Sequence, residues 1–156
     1  MLGITRPHLD REAPCHLLGI GEPDDLVEGI ALGVDLFDCA VPTRLARHGM
    51  ALAPLPDTRF RFDVRRAEHS ADRGPLVEGC PCAACAAHSR AYIHFLSRAE
   101  ELTGVRLLVL HNLTYLERLV RGAREAIQGR RFDDYRRAVL NGAPPWRAAV
   151  PTPSGP

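Results

Sequence analysis

Three cysteines, Cys80, Cys82 and Cys85, fall within six residues of a 156-residue chain. No other feature restricts the fold as much. A C-x2-C turn lets two thiolates reach one ion, and a third cysteine two residues upstream closes another corner of a tetrahedron. Zinc then requires a fourth ligand. The residues alone leave two choices. His88 follows closely and would make a tight local knuckle. His111 lies farther on and would tie the cluster to a separate element. Four protein ligands leave no open position, so such a site is structural rather than catalytic.

The first residues carry charges and proline and lack an apolar core of the signal-peptide kind. No run approaches the ~18 apolar residues of a membrane span. The expected location is therefore cytoplasmic, with no membrane partner, where a disulfide framework is not expected and clustered thiols point to metal. Cys39 reads as a small buried hydrophobe. The net charge of +1 supplies no global basic field that would by itself announce nucleic acid. All 20 basic residues are arginine. Coding bias accounts for that most simply, yet it means that any phosphate contact comes from a guanidinium fork.

Residues 1–14 read as an irregular segment. The run 15–20 (CHLLGI) reads as a buried strand. A short helix follows, with Pro23 at a first helical position, Asp24 and Asp25 at the positive end of its dipole, and Gly33 as its stop. Residues 34–41 (VDLFDCAV) form a second apolar run ended by Pro42. Strand, helix and strand at this spacing make a βαβ unit with parallel strands. Apolar residues along both strands imply cover on both faces, as in a doubly wound sheet or a (β/α)8 barrel, which two strands cannot close. Residues 43–58 read as loop, and 59–65 (RFRFDVR) as a half-buried alternating strand. A helix is expected from about His88 to Leu102 with Gly104 ending it. Residues 105–110 are ambiguous. A long helix to Gln128 is expected to begin at an Asn112 cap and stop at Gly129. A short helix around 131–140 follows, and the proline-rich residues 143–156 are expected to be a disordered tail.

Three stretches carry a family resemblance. HLLGIGEPDDLVEGIALGVDLFDCAVPTRLARHG, CPCAACAAHSRAYIHFL and LHNLTYLERLVRGAREAI resemble, in order and spacing, the last part of the bacterial tRNA-guanine transglycosylases. The match covers about residues 15–140. It implies an α/β fold: the C-terminal part of a (β/α)8 TIM barrel with an inserted zinc-binding subdomain. The expected division is the last two barrel units with the nucleophile loop at 15–58, the zinc subdomain at 59–104, and the final barrel helix with a C-terminal helix at 105–142. Between the two histidines, the resemblance selects His111, giving zinc ligands Cys80, Cys82, Cys85 and His111. Asp38 corresponds to the family's nucleophile. Leu18 and Gly19 correspond to positions lining the purine pocket, and Arg44 and Arg47 to residues engaging the tRNA anticodon loop. His48 and Phe95 depart from the usual Asn and His.

The implied reaction exchanges the wobble guanine of tRNA for a 7-deazaguanine of the queuosine pathway, through a covalent Asp–ribose intermediate. Implied partners are the tRNA anticodon loop, a purine or 7-deazapurine base, and a second copy in a homodimer. The first six barrel units fall outside the resemblance, so activity is expected only with a complementing N-terminal half-barrel chain. The rival reading is a non-catalytic zinc-binding scaffold or assembly subunit of a tRNA-modifying complex. An unrelated zinc-finger DNA binder fits poorly, because the chain has neither a strong net charge nor a second finger.

Overall fold

A computed structural model describes residues 12–148, together with Ile4 and His8. Most of segment 1–14, and residues 149–156 of the expected tail, lie outside the described residues. Strand β1 (His16–Leu18), helix α1 (Pro23–Ala31) and strand β2 (Leu36–Asp38) form the βαβ unit. The strands pair in parallel, with His16 opposite Leu36 and Leu18 opposite Asp38. Leu17 and Phe37 turn inward, and Phe37 packs with Leu26 and Val27 of α1. The alternate face is open: Leu18 is 66% and Leu36 53% exposed. Cover on both strand faces is therefore absent within the described residues, where only one face is packed.

The segment read as loop after Pro42 contains helix α2 (Val41–Arg47) and strand β3 (Met50–Leu52). Proline near the start of α2 marks a helix beginning, because its missing N–H is one the first turn would leave unpaired. β3 pairs antiparallel with β4 (Arg61–Asp63), Ala51 facing Phe62. β4 is shorter than the alternating run because Arg59 and Phe60 adopt positive φ. Phe60 and Val64 are nonetheless buried.

Helices α3 (Ala83–Ala87) and α4 (Arg90–Arg98) follow, the latter capped by Ser89, whose Oγ accepts from the Tyr92 N–H at 3.2 Å. Helix α5 (Leu102–Gln128) is one uninterrupted rod of 27 residues. Asn112 does not cap it, and Gly104 lies inside its first turn rather than ending α4. Gly104 is there for closeness: a Cβ would sit 3.0 Å from the Leu96 side chain of α4. The ambiguous run 105–110 is helical because α4 and the metal loop bury its face. Helix α6 (Phe132–Leu140) crosses back over α5 at Gly122, where a Cβ would come within 2.7 Å of the Tyr135 hydroxyl. That hydroxyl donates to the Leu119 carbonyl at 2.8 Å.

The expected disordered tail is ordered at its beginning. Helix α7 (Pro145–Ala148) docks on α5, with Pro145 buried and Trp146 edge-on to Tyr115 at 5.9 Å. Burying the indole against an aromatic partner outweighs the proline content. Two main cores result. One gathers Leu26, Val27, Leu119, Ala123 and Val139 around α1 and the far half of α5. The other gathers Val64, Leu76, Ile93 and Leu108 around the cysteines.

Candidate metal centre and nucleophile end

Cys80 and Cys82 are buried within the second core, and Cys85 is half-buried. Cys82 stands just before α3, and its sulfur accepts the Cys85 N–H at 3.3 Å. This folds the C-x2-C turn so that both sulfurs face α5, where His111 is fully buried. The four ligand atoms all lie within 4.8 Å of one another. His111 Nδ1 is 3.6 Å from Cys80 Sγ, 3.5 Å from Cys82 Sγ and 3.4 Å from Cys85 Sγ. Zinc bonds of about 2.3 Å to sulfur and about 2.05 Å to nitrogen, at tetrahedral angles, set that edge at about 3.6 Å. The donor set fits zinc in both chemistry and spacing. His88 is outside the cluster and stacks on Tyr92 at 5.1 Å.

The protons reinforce that fit. Hydrogen bonds from Cys80 and Cys85 hold the Cys82 thiol well below its ordinary range, and the same contacts push Cys80 upward. Burial resists charging His111, yet its bonds to Cys82 and Cys85 raise it to about 9. The short sulfur–imidazole approaches thus favour the ligand form of Cys82 and bind the four side chains into one cluster. A divalent ion would replace those protons.

His111 Nε2 meets the Leu52 carbonyl at 2.8 Å. This outer contact fixes the tautomer, leaving Nδ1 for the metal. The adjacent Asn112, also fully buried, accepts the Leu52 N–H through Oδ1 at 2.8 Å. Its Nδ2 donates to the carbonyls of Pro42 at 3.0 Å and Met50 at 3.1 Å. The sequence had suggested only a cap for Asn112. The available signal was an amide next to a histidine in a stretch that is otherwise an apolar helix face.

Asp38 is the last residue of β2 and is exposed. The neighbouring β1 ends at Leu18, and Gly19 follows at φ 77°, a conformation glycine tolerates. The Gly19 N–H donates to the Asp38 carbonyl at 2.6 Å, so both strand ends meet. Arg44 and Arg47 are exposed on α2. Arg47 also borders a cleft of about 350 Å³ with Arg65, Arg98 and Glu101. The loop after β1 is anchored to β4 by a 3.0 Å ion pair between Glu22 and Arg61, which sequence reasoning did not identify.

A family model described as queuine tRNA-ribosyltransferase matches residues 1–145. The chain belongs to the queuine tRNA-ribosyltransferase family. It is 46% identical over 140 residues to a queuine tRNA-ribosyltransferase of Symbiobacterium thermophilum, covering 90% of this chain and 34% of that relative. To the relative from a Roseiflexus species it is 47% identical over 132 residues, 85% of this chain and 33% of the other. To that of Thermus thermophilus it is 43% identical over 151 residues, 94% and 38% respectively. The chain thus spans about a third of the length of the curated relatives it matches, in their C-terminal portion. The Cys80, Cys82, Cys85 and His111 cluster is consistent with this family's zinc site. No helix among the described residues is long and apolar enough to cross a membrane.

Proposed function

We propose that this chain supplies the nucleophile end and the zinc unit of a tRNA-guanine transglycosylase, closing the last part of a (β/α)8 barrel whose other strands come from further polypeptide. The observation that carries this reading is the junction of strand ends, where the Gly19 N–H meets the Asp38 carbonyl at 2.6 Å. Leu18 and Gly19 stand next to Asp38 at the carboxyl ends of parallel strands, where barrel enzymes assemble chemistry, which supports assigning the first two to the base and Asp38 to the attack on ribose. The open faces of Leu18 and Leu36 suit burial against barrel neighbours.

In this reading a carboxylate oxygen of Asp38 attacks C1′ of the wobble ribose. The C1′–N9 bond breaks, and its electron pair leaves with guanine, which takes up a proton. The 7-deazaguanine then attacks C1′ through N9, giving up its N9 proton, and breaks the Asp–ribose ester, releasing the carboxylate; the proton lost balances the one guanine took up. Two inversions retain configuration. The wobble base leaves the stack to be reached. Arg44 and Arg47 hold flanking phosphates. Zinc, when bound, fixes the scaffold, since its four ligands leave no position for substrate. The resemblance also implies a cytoplasmic homodimer through the zinc region, where Tyr92 and Phe95 stand exposed on α4.

The test mixes this chain with a polypeptide carrying the remaining barrel units, tRNA and labelled guanine. Label incorporation that disappears with Asp38→Asn supports the reading. The alternative is a non-catalytic zinc scaffold, favoured by the packing of the cysteines within a complete core. A zinc-dependent complex without label incorporation selects that alternative.

A further inference from the structure

Helix α2 has no side-chain cap at its start, and its end is closed by backbone N–H groups of His48 and Gly49. Its buried side chains, Val41, Pro42, Leu45 and Ala46, press against α5 and β3. Such contacts are non-directional and permit sliding. Asn112 adds directional contacts across the groove. One amide uses its oxygen and both donor hydrogens, bonding to Pro42 in the first turn of α2 and to Met50 and Leu52 in the strand just beyond it. The chain is gripped before and after the segment that carries Arg44 and Arg47. Hydrogen bonds weaken steeply with misalignment, so three of them from one rigid group determine position rather than merely attraction. An asparagine at mid-helix is otherwise a poor choice, both for helix propensity and for burial.

We infer that Asn112 is the positioning residue for the RNA-facing arginines: it sets where Arg44 and Arg47 stand, and so where the anticodon-loop backbone runs. This rests on the proposed phosphate contacts of those two residues. Asn112 itself touches no substrate. Because the neighbouring His111 holds the metal, the positioning group is also rigidly referenced to the zinc centre.

The experiment uses the zinc-loaded full chain, Asn112→Ser, Arg44→Ala/Arg47→Ala, and the triple variant. The first measurement is amide hydrogen exchange with zinc content. Asn112→Ser is expected to keep zinc and to exchange faster across 41–52, with 113–128 unchanged. Unchanged exchange across 41–52 would overturn the inference whatever the RNA does. The second measurement is binding of an anticodon stem-loop RNA over a range of salt. Asn112→Ser is expected to weaken binding and to lower the slope of log K against log salt by about one. It should cost nothing further once both arginines are gone. An equal loss with and without the arginines means a merely structural role and overturns the inference. Wild-type binding that ignores both arginines removes the functional reading instead, and the exchange result still decides whether Asn112 places α2. Should Asn112→Ser lose zinc, Asn112→Asp, which keeps the acceptor for Leu52 and reverses the donor side, carries the same measurements.

Discussion

His111 and Leu52 are joined at 2.8 Å through Nε2 and the carbonyl oxygen, while the opposite ring nitrogen faces three sulfurs. The imidazole therefore spans metal and sheet. Replacing it removes both functions at once. His111→Ala should abolish metal retention and destabilise β3. Cys82→Ser should do the same from the other side of the ion. Protein purified without added zinc should contain about one equivalent, since structural sites bind tightly. A metal-replete, folded Cys82→Ser protein would refute this assignment.

The exposed side chain of Asp38 lets its proposed role as nucleophile be tested apart from folding. Asp38→Asn should leave the thermal midpoint nearly unchanged, as surface substitutions do, within about 0.5 kcal/mol. In the presence of the remaining barrel units it should eliminate the covalent RNA adduct, since an amide cannot form the glycosyl ester. Thermal unfolding checks the first half and trapping the adduct on a denaturing gel the second; an adduct persisting in Asp38→Asn assigns the nucleophile elsewhere.

Burial and the Arg90 guanidinium hold His69 below the usual imidazole range. Its neutral ring makes the 3.5 Å approach to Glu68 a polar contact rather than an ion pair. The unfolded chain takes up a proton at this residue near pH ~6.5 that the folded chain refuses. The stabilisation is full above that pH and is lost as pH falls towards the folded value. With zinc in excess, the urea midpoint should drop between neutral pH and about pH 5.5. His69→Phe should flatten that drop while keeping the edge contact with Phe62. An identical pH dependence in His69→Phe would exclude His69 as its source.

Trp146 is the chain's single tryptophan. It packs against the cysteine core and beside Gly79, the residue before Cys80. Stripping zinc with a chelator should loosen that loop and shift the emission to the red. Restoring zinc should reverse it. Emission indifferent to metal would mean that α7 docks independently of the cluster.

Among the described residues the two-stranded β1–β2 pair has an open apolar face and no further strand paired to its edges. In the 156-residue chain by itself, amides in 15–41 should exchange faster than those in 80–128. Adding the remaining barrel units should protect the former selectively. Equal protection without them would show that α1 alone stabilises the pair.

The sequence made the chemistry more legible than the backbone. Cysteine spacing is local, so three ligands could be read directly, whereas the choice between His88 and His111 depended on a tertiary approach that spacing does not encode. The βαβ unit was visible because each run is short, apolar and bounded by glycine or proline. The start of helix α5 is not legible from local sequence, because Asn112 has the chemistry of a cap and Gly104 that of a stop. Both residues are instead explained by partners distant in sequence: Leu52, Met50 and Pro42 for the amide, Leu96 for the glycine. Trp146 was obscured by the prolines around it. In each case a side chain's local preference was overridden by a neighbour visible only after folding.

Helix α5 is a single rod of about 40 Å at 1.5 Å per residue. One half carries His111 and Asn112, and the other carries Leu119, Ala123 and Ala126 into the second core. Each residue advances the helix by about 100°. A single-residue insertion or deletion between Asn112 and Leu119 would therefore rotate one half against the other, and the metal and the α1 core could not both be satisfied. Substitutions along this stretch can be absorbed by repacking, but changes of length cannot. The rod works as a camshaft, in which the angular phase between two sites is the quantity the fold protects.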